Sequence, residues 1–162
     1  MERIEIKNIC KEVIYTYEGT NATIKEAVEA AVKEGVSLRG ADLEDAYLHR
    51  ANLKGADLRE ASLANAILTN ADLSNALLKR ANICCAFLRG ALLTGANLAN
   101  ADLVRADLTK ADLTKANLKK ANLKGANLTK ADLRGTNLTN LVYDCNLKIS
   151  NLLAIINSQL PI

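Results

Sequence analysis

The sequence predicts an all-β solenoid in which a square coil of parallel segments rises for about five turns along one axis. Alanine occupies every fifth position from Ala41 to Ala131, nineteen times without a gap. Leucine follows two residues after each alanine, from Leu43 to Leu133, with Ile83 the one substitution. Asp or Asn fills most of the positions between them. Val36-Ser-Leu38 and Thr136-Asn-Leu138 keep the phase at either end, so residues 36–140 form twenty-one units of the form A-(D/N)-L-x-x.

Neither an isolated helix nor a flat strand accommodates this period. At about 100° per residue, five residues of helix advance about 500°, so successive leucines drift by about 140° and form no stripe. In a flat strand side chains alternate between faces, and an odd spacing sends successive leucines to opposite sides. A chain that turns once per unit satisfies the pattern. Alanine and leucine, two apart in locally extended backbone, both point inward, and four turns close a coil of about twenty residues whose backbone pairs with the coils on either side at about 4.8 Å. The leucines then fill the axis, each contributing about 1.5–3 kcal/mol of burial before entropy is counted.

The A-(D/N)-L-x-x run resembles the pentapeptide-repeat family. That resemblance implies a right-handed quadrilateral parallel β-helix.

The ends depart from the repeat. Residues 2–18 alternate as two short strands, through Ile4 and Ile6 and then Val13, Tyr15 and Tyr17. Thr23-Ile-Lys-Glu26 is a capping box, followed by an apolar helical stripe at Ile24, Ala27, Val28, Ala31 and Val32 and a stop at Gly35. Residues 1–35 are therefore expected to form a β-hairpin and helix that cap the first coil, with the solenoid over 36–140. At 141–162 the phase breaks: Leu141-Val-Tyr143 lacks the motif, and Cys145-Asn-Leu147 and Ser150-Asn-Leu152 resume it one residue early. This segment is expected to form an irregular last coil and a C-terminal cap. Its apolar residues Leu152, Leu153, Ile155 and Ile156 are candidates for a dimer end, because the resembled proteins often dimerise there.

Few residues suggest chemistry. The one histidine, His49, has no second histidine to share a metal with, and the Asp residues occupy a position where Asn substitutes freely. The glycines of the repeats are fifth-position corner residues and form no phosphate-binding loop. No catalysis, cofactor or metal is expected. Cys84-Cys85, at outward or corner positions, is open either to a soft metal or oxidant or to the plainer reading of small residues tolerated at a corner. The spacing of the four cysteines is no disulfide framework. The charged amino terminus lacks a secretory h-region, and no apolar run approaches a bilayer span, so a cytoplasmic location is expected.

Three surfaces are candidates for partners. Residues twenty apart stack, so Tyr47, Ile67 and Phe87 form an apolar column at the Asp/Asn position, with Leu77 and Leu92 departing from the pattern on the two adjoining faces. Such a patch either packs against the terminal elements or binds a protein. The same folding gives a basic column of Arg39, Arg59, Lys79 and Lys119, with Arg80 and Lys120 beside it, interrupted by Asp57 and Glu60. The net charge is +3, with the basic excess in the carboxyl-terminal half. The leading expectation is a non-enzymatic interaction or structural module with an unidentified protein partner; the alternative is nucleic-acid binding through the basic face. A third reading follows from the resemblance alone, since well-known members bind DNA gyrase by imitating duplex DNA. The mildly basic surface and uninterrupted repeats depart from that pattern.

Overall fold

The computed structural model describes residues 1–144. The predicted irregular coil from Cys145 onward and the candidate dimer end at Leu152, Leu153, Ile155 and Ile156 lie outside the described residues. Strands β1 (Glu2–Lys7) and β2 (Val13–Gly19) pair antiparallel, with Ile4 opposite Tyr17 and Ile6 opposite Tyr15. Helix α1 (Ile24–Lys33) follows. The Glu26 N–H donates to Thr23 Oγ1 (3.2 Å) and the Thr23 N–H donates to Glu26 Oε2 (3.0 Å), so both arms of the capping box are made. Ala27, Val28 and Ala31 are buried on the face that the apolar stripe predicts. The Tyr15 hydroxyl donates to Glu34 Oε1 (2.9 Å), tying the hairpin to the end of the helix.

From Asp42 to Asn122 the second residue of each unit forms a parallel bridge to the residue twenty positions further on. Asp42, Ser62, Asn82, Asp102, Asn122 and Val142 are linked in this way. Four units therefore carry the chain once round, one unit to a side. Five such steps at about 4.8 Å give a stack about 24 Å tall.

The unit beginning at Ala71 shows why this sequence holds the conformation. Its Asp72 N–H donates back to Ala51 O (2.9 Å), Leu73 N–H forward to Leu92 O (2.7 Å) and Asn75 N–H forward to Thr94 O (2.9 Å). The Ala76 N–H donates to Leu73 O (3.0 Å) and closes a four-residue turn. The fifth donor, Ser74 N–H, is taken by Asp72 Oδ1 at 2.9 Å. Every N–H of the unit has an acceptor. The side-chain oxygen of the second residue makes this same bond at every Asp or Asn from Asn52 to Asn137.

Corners are type II turns. Every fifth residue from Gly40 to Asn140 has φ between +55° and +70°, while no fourth residue does. Gly and Asn suit this region, yet Arg50, Arg80, Arg105 and Lys110 also occupy it. These long side chains accept a conformation that costs an L-residue about 1–2 kcal/mol. Inside, the third-position leucines from Leu38 to Leu133, with Ile83, are at most 2% exposed.

Helix and hairpin meet the first coil through its edge donors. The Asp42 N–H donates to Lys7 O (2.7 Å) and the Ile9 N–H to Gly40 O (3.0 Å), so the chain after β1 lies antiparallel to the first coil. The Asn52 N–H, which lower in the stack would find an alanine carbonyl, donates to Glu29 Oε1 of α1 (2.7 Å). At the other end the backbone ladder outlasts the motif. Val142 N–H donates to Ala121 O (2.9 Å) and Val142 O accepts from Leu123 N–H (2.7 Å), although Leu141-Val-Tyr143 lacks the motif. The ladder needs only backbone in phase, and that persists two residues beyond the last unit. Among the described residues no helix is long and apolar enough to cross a membrane.

Candidate functional site

The parallel bridges set Tyr47, Ile67 and Phe87 directly above one another, with Asp107 next in the column. Tyr47 is 59% exposed and Phe87 50%, with Ile67 half-buried between them. No terminal element among the described residues covers the two rings. Leu92, 44% exposed, stands on the next face, bridged to Asp72 and Asp112. Only the Arg89-Gly90 corner separates it from Phe87. Gly90 has φ +68°, and a Cβ there would press on Asn70 Oδ1, so the corner stays bare between the two apolar side chains. Leu77 does not join them. It is bridged to Asp57 and Asn97, and ten residues are half a coil, so it lies on the face opposite Phe87 and not on an adjoining one.

The apolar residues at these second positions forgo a hydrogen bond. Tyr47, Ile67, Leu77, Phe87 and Leu92 offer no oxygen to the N–H two residues on. The N–H groups of His49, Thr69, Lys79, Arg89 and Thr94 accordingly have no protein acceptor among the described residues. Each such bond is worth about 0.5–1.5 kcal/mol, and half-exposed rings recover only part of that by burial. The corner beside the column carries Arg50, Arg89, Lys110 and Lys130. None of these cations lies within 4 Å of a carboxylate among the described residues. The Tyr47 ring also lies 6.0 Å from that of His49. The site is an apolar strip with a cationic margin.

The basic column is differently made. Arg59 forks onto Asp57 through Nε (2.7 Å) and a terminal nitrogen (2.7 Å). Arg39 reaches Glu60 at 3.0 Å, and Arg80 approaches the same carboxylate at 4.0 Å. Lys79, Lys119 and Lys120 pair with no carboxylate among the described residues. The upper half of the face is thus neutralised by Asp57 and Glu60, and its unpaired charge falls on lysines spread over the lower coils.

Among the described residues no acid–base pair stands out. The carboxylates whose acidity is perturbed all shift downward. The Arg59 fork, against the opposing effect of burial and with help from the Ser37 hydroxyl (2.6 Å), holds Asp57 well below the usual carboxylate range. Lys11 acts similarly on Asp42, and Arg134 on Asp132. Burial works against the ionised form of Asp112, but hydrogen bonds from Thr114 and Thr94 outweigh it. A groove of about 570 Å³ between α1 and the first coil is lined by Glu29, Val32, Lys33, Asn52 and Lys54, and its carboxylate is occupied by the Asn52 N–H. Cys10 is exposed at the turn after β1, far from Cys84 and Cys85 in the chain, and all three are free thiols.

Comparison with known proteins agrees with this architecture. The pentapeptide repeat family profile matches in 8 copies, over residues 34–63, 56–95, 71–109 and 101–140. No curated protein matches the chain. Among solved structures, the pentapeptide repeat protein Rfr23 from the cyanobacterium Cyanothece 51142 is 40% identical, with a TM-score of 0.57 over 58% of this chain and 65% of its own. The chain therefore spans slightly less than two thirds of that protein. A pentapeptide repeat protein from the Arabidopsis thaliana thylakoid lumen is 29% identical, with a TM-score of 0.40 over 65% of this chain and 70% of its own. Another from Nostoc PCC 7120 is 31% identical, with a TM-score of 0.34 over 78% of this chain and 100% of its own. Matched across well over half of its length, the chain belongs to the pentapeptide repeat family.

Proposed function

We propose that the chain is a non-enzymatic interaction module, a right-handed quadrilateral β-helix that presents the Tyr47, Ile67 and Phe87 column, with Leu92 round the corner, to a protein partner. The observation that carries this reading is the combination of exposure and cost. Phe87 is 50% exposed and leaves the Arg89 N–H without an acceptor, a price the Asp or Asn of the neighbouring units avoids. Apolar residues that neither fill the core nor complete the turn are best accounted for by contact with another surface. The margin of Arg50, Arg89, Lys110 and Lys130 narrows the partner to a protein whose apolar contact residues are bordered by carboxylates.

Substituting Ile67→Asn together with Phe87→Asn tests this. Asparagine restores the oxygen that the other units carry, so the fold is kept while the apolar surface is removed. The partner is taken from native extract on the immobilised full chain, identified by mass and then titrated as a purified protein. The double variant should keep the melting temperature and bind at least about tenfold more weakly. Equal binding by the two proteins would reject the column as the contact surface.

A further inference from the structure

Cys84 and Cys85 are the fourth and fifth residues of one unit, at the corner that leads to the face of Phe87. Their sulfurs lie 3.5 Å apart, and both side chains are half-buried. The backbone around them is held from three directions. The Cys84 N–H donates to Asn82 Oδ1 (3.2 Å). The Cys84 carbonyl accepts from the Asn65 N–H of the preceding coil (2.9 Å), and the Cys85 N–H donates to the Val104 carbonyl of the following coil (2.8 Å). Both polar groups of the peptide joining the two cysteines are therefore gripped by neighbouring coils. The φ of Cys85, +59°, is the one that the corner requires.

This grip decides what the two thiols can do together. A disulfide requires a separation of about 2.05 Å, so the sulfurs would have to close by about 1.5 Å around a small ring containing that peptide. Twisting the peptide would break its two bonds to the adjacent coils. A single atom bridging the sulfurs leaves the peptide in place. Two thiolates on a tetrahedral ion at about 2.3 Å stand about 3.8 Å apart, and on a pyramidal centre with angles nearer 95° about 3.4 Å. The observed 3.5 Å falls beside the second value.

Ligand number points the same way. Among the described residues no group of three or more His, Cys, Asp or Glu side chains could hold a metal ion, which leaves a tetrahedral cation short of donors. A three-coordinate centre that needs two thiolates and brings its own third substituent is satisfied by this pair.

We propose that Cys84-Cys85 is a chelating dithiol site for trivalent arsenic, taken as arsenite or as an organic arsenoxide. With an arsenoxide the arsenic–oxygen bond breaks and two arsenic–sulfur bonds form. The oxygen leaves with the two thiol protons as one water, the organic group stays as third substituent, and no electrons change hands. Burial, followed by the hydrogen bond with Cys85, pushes the Cys84 thiol up from its ordinary value, and Ala64 and Val104 flank it at the same repeat position one coil to either side. A low thiolate fraction at Cys84 slows its attack on an oxidant. Chelation instead gains from two sulfurs already held at the bridging distance, which makes the second bond intramolecular.

The test uses the full chain carrying Cys10→Ser and Cys145→Ser, so that only the pair remains, with phenylarsine oxide as the probe. Intact mass should show one phenylarsenic per chain with loss of one water. The adduct should survive excess glutathione and be removed by 2,3-dimercaptopropanol. Adding either Cys84→Ser or Cys85→Ser, neither of which touches the core, should weaken retention against glutathione by about 100-fold or more. If glutathione strips the pair as readily as it strips the single cysteines, the site is not a chelate and the proposal fails. The proposal also fails if glutathione disulfide converts the pair to a form two hydrogens lighter with no glutathione attached, because the backbone would then permit the disulfide.

Discussion

Asp72 illustrates what the second position does for each unit. Its side chain accepts the Ser74 N–H at 2.9 Å, the one donor of the unit that no backbone carbonyl takes. Asp72→Ala should therefore destabilise the protein by about 0.5–1.5 kcal/mol, read as a shift in the urea midpoint with an unchanged slope. Phe87→Asn runs in the opposite sense. It gives the Arg89 N–H an acceptor and gives up contact from a ring that is 50% exposed, so the two changes should leave stability within about 1 kcal/mol of the parent. A loss of several kcal/mol at Phe87 would mean that the column is structural packing. The residue scale thus separates two kinds of second-position side chain, one that completes the turn and one that the turn does not need.

The elements at the amino terminus answer a different requirement, because the first coil has no coil above it. Lys7 O and Glu29 Oε1 accept from Asp42 N–H and Asn52 N–H, donors that elsewhere meet the preceding coil. Removing residues 1–35 should uncover those donors and leave the solenoid edge to pair with another chain. Sedimentation should then show a higher mass per particle than the full chain at equal concentration, and an unchanged association state would show that the edge needs no cover. The hairpin, the capping box and the five-residue period were all legible in the sequence, because alternation, Thr23 with Glu26 and the alanine–leucine spacing each report a local backbone state. The exposed column was legible as well, once residues twenty apart were set together. The place of Leu77 was not, since which faces adjoin depends on the order of units around the coil, and ten residues are half a turn. Nor did the sequence show that Arg39 reaches the same Glu60 that stacks directly on Arg80, because the Arg39 contact runs diagonally, from a fourth position to a fifth one twenty-one residues on. The role of Asp and Asn became specific only when every backbone donor had been assigned.

At the scale of the whole molecule the same second-position carboxylates couple the stack to pH. Asp57, Asp42, Asp112 and Asp132 are all held below the ordinary carboxylate value of 3.8, through bonds from Arg59, from Lys11, from Thr114 and Thr94, and from Arg134. A carboxyl with a lowered folded-state pKa binds its proton less readily folded than unfolded. Its contribution is therefore complete above the unfolded value and disappears as the pH falls through the folded one. These four sit on three of the four faces, from the first coil to the last. Each coil is stabilised largely by its neighbours, so weakening several of them together lowers the stability of the stack as a whole. The melting temperature should be nearly level from pH 7 to about 5 and fall steeply below about 4. Asp57, the most strongly shifted of the four, should carry a distinct part of that fall. In Asp57→Asn the Arg59 and Ser37 partners face a neutral amide, so the variant should melt lower than the parent at pH 7, and the gap should narrow steadily as the pH falls from about 4 towards 2. Parallel curves across that range would show that the Arg59 fork contributes nothing to the stability of the coil.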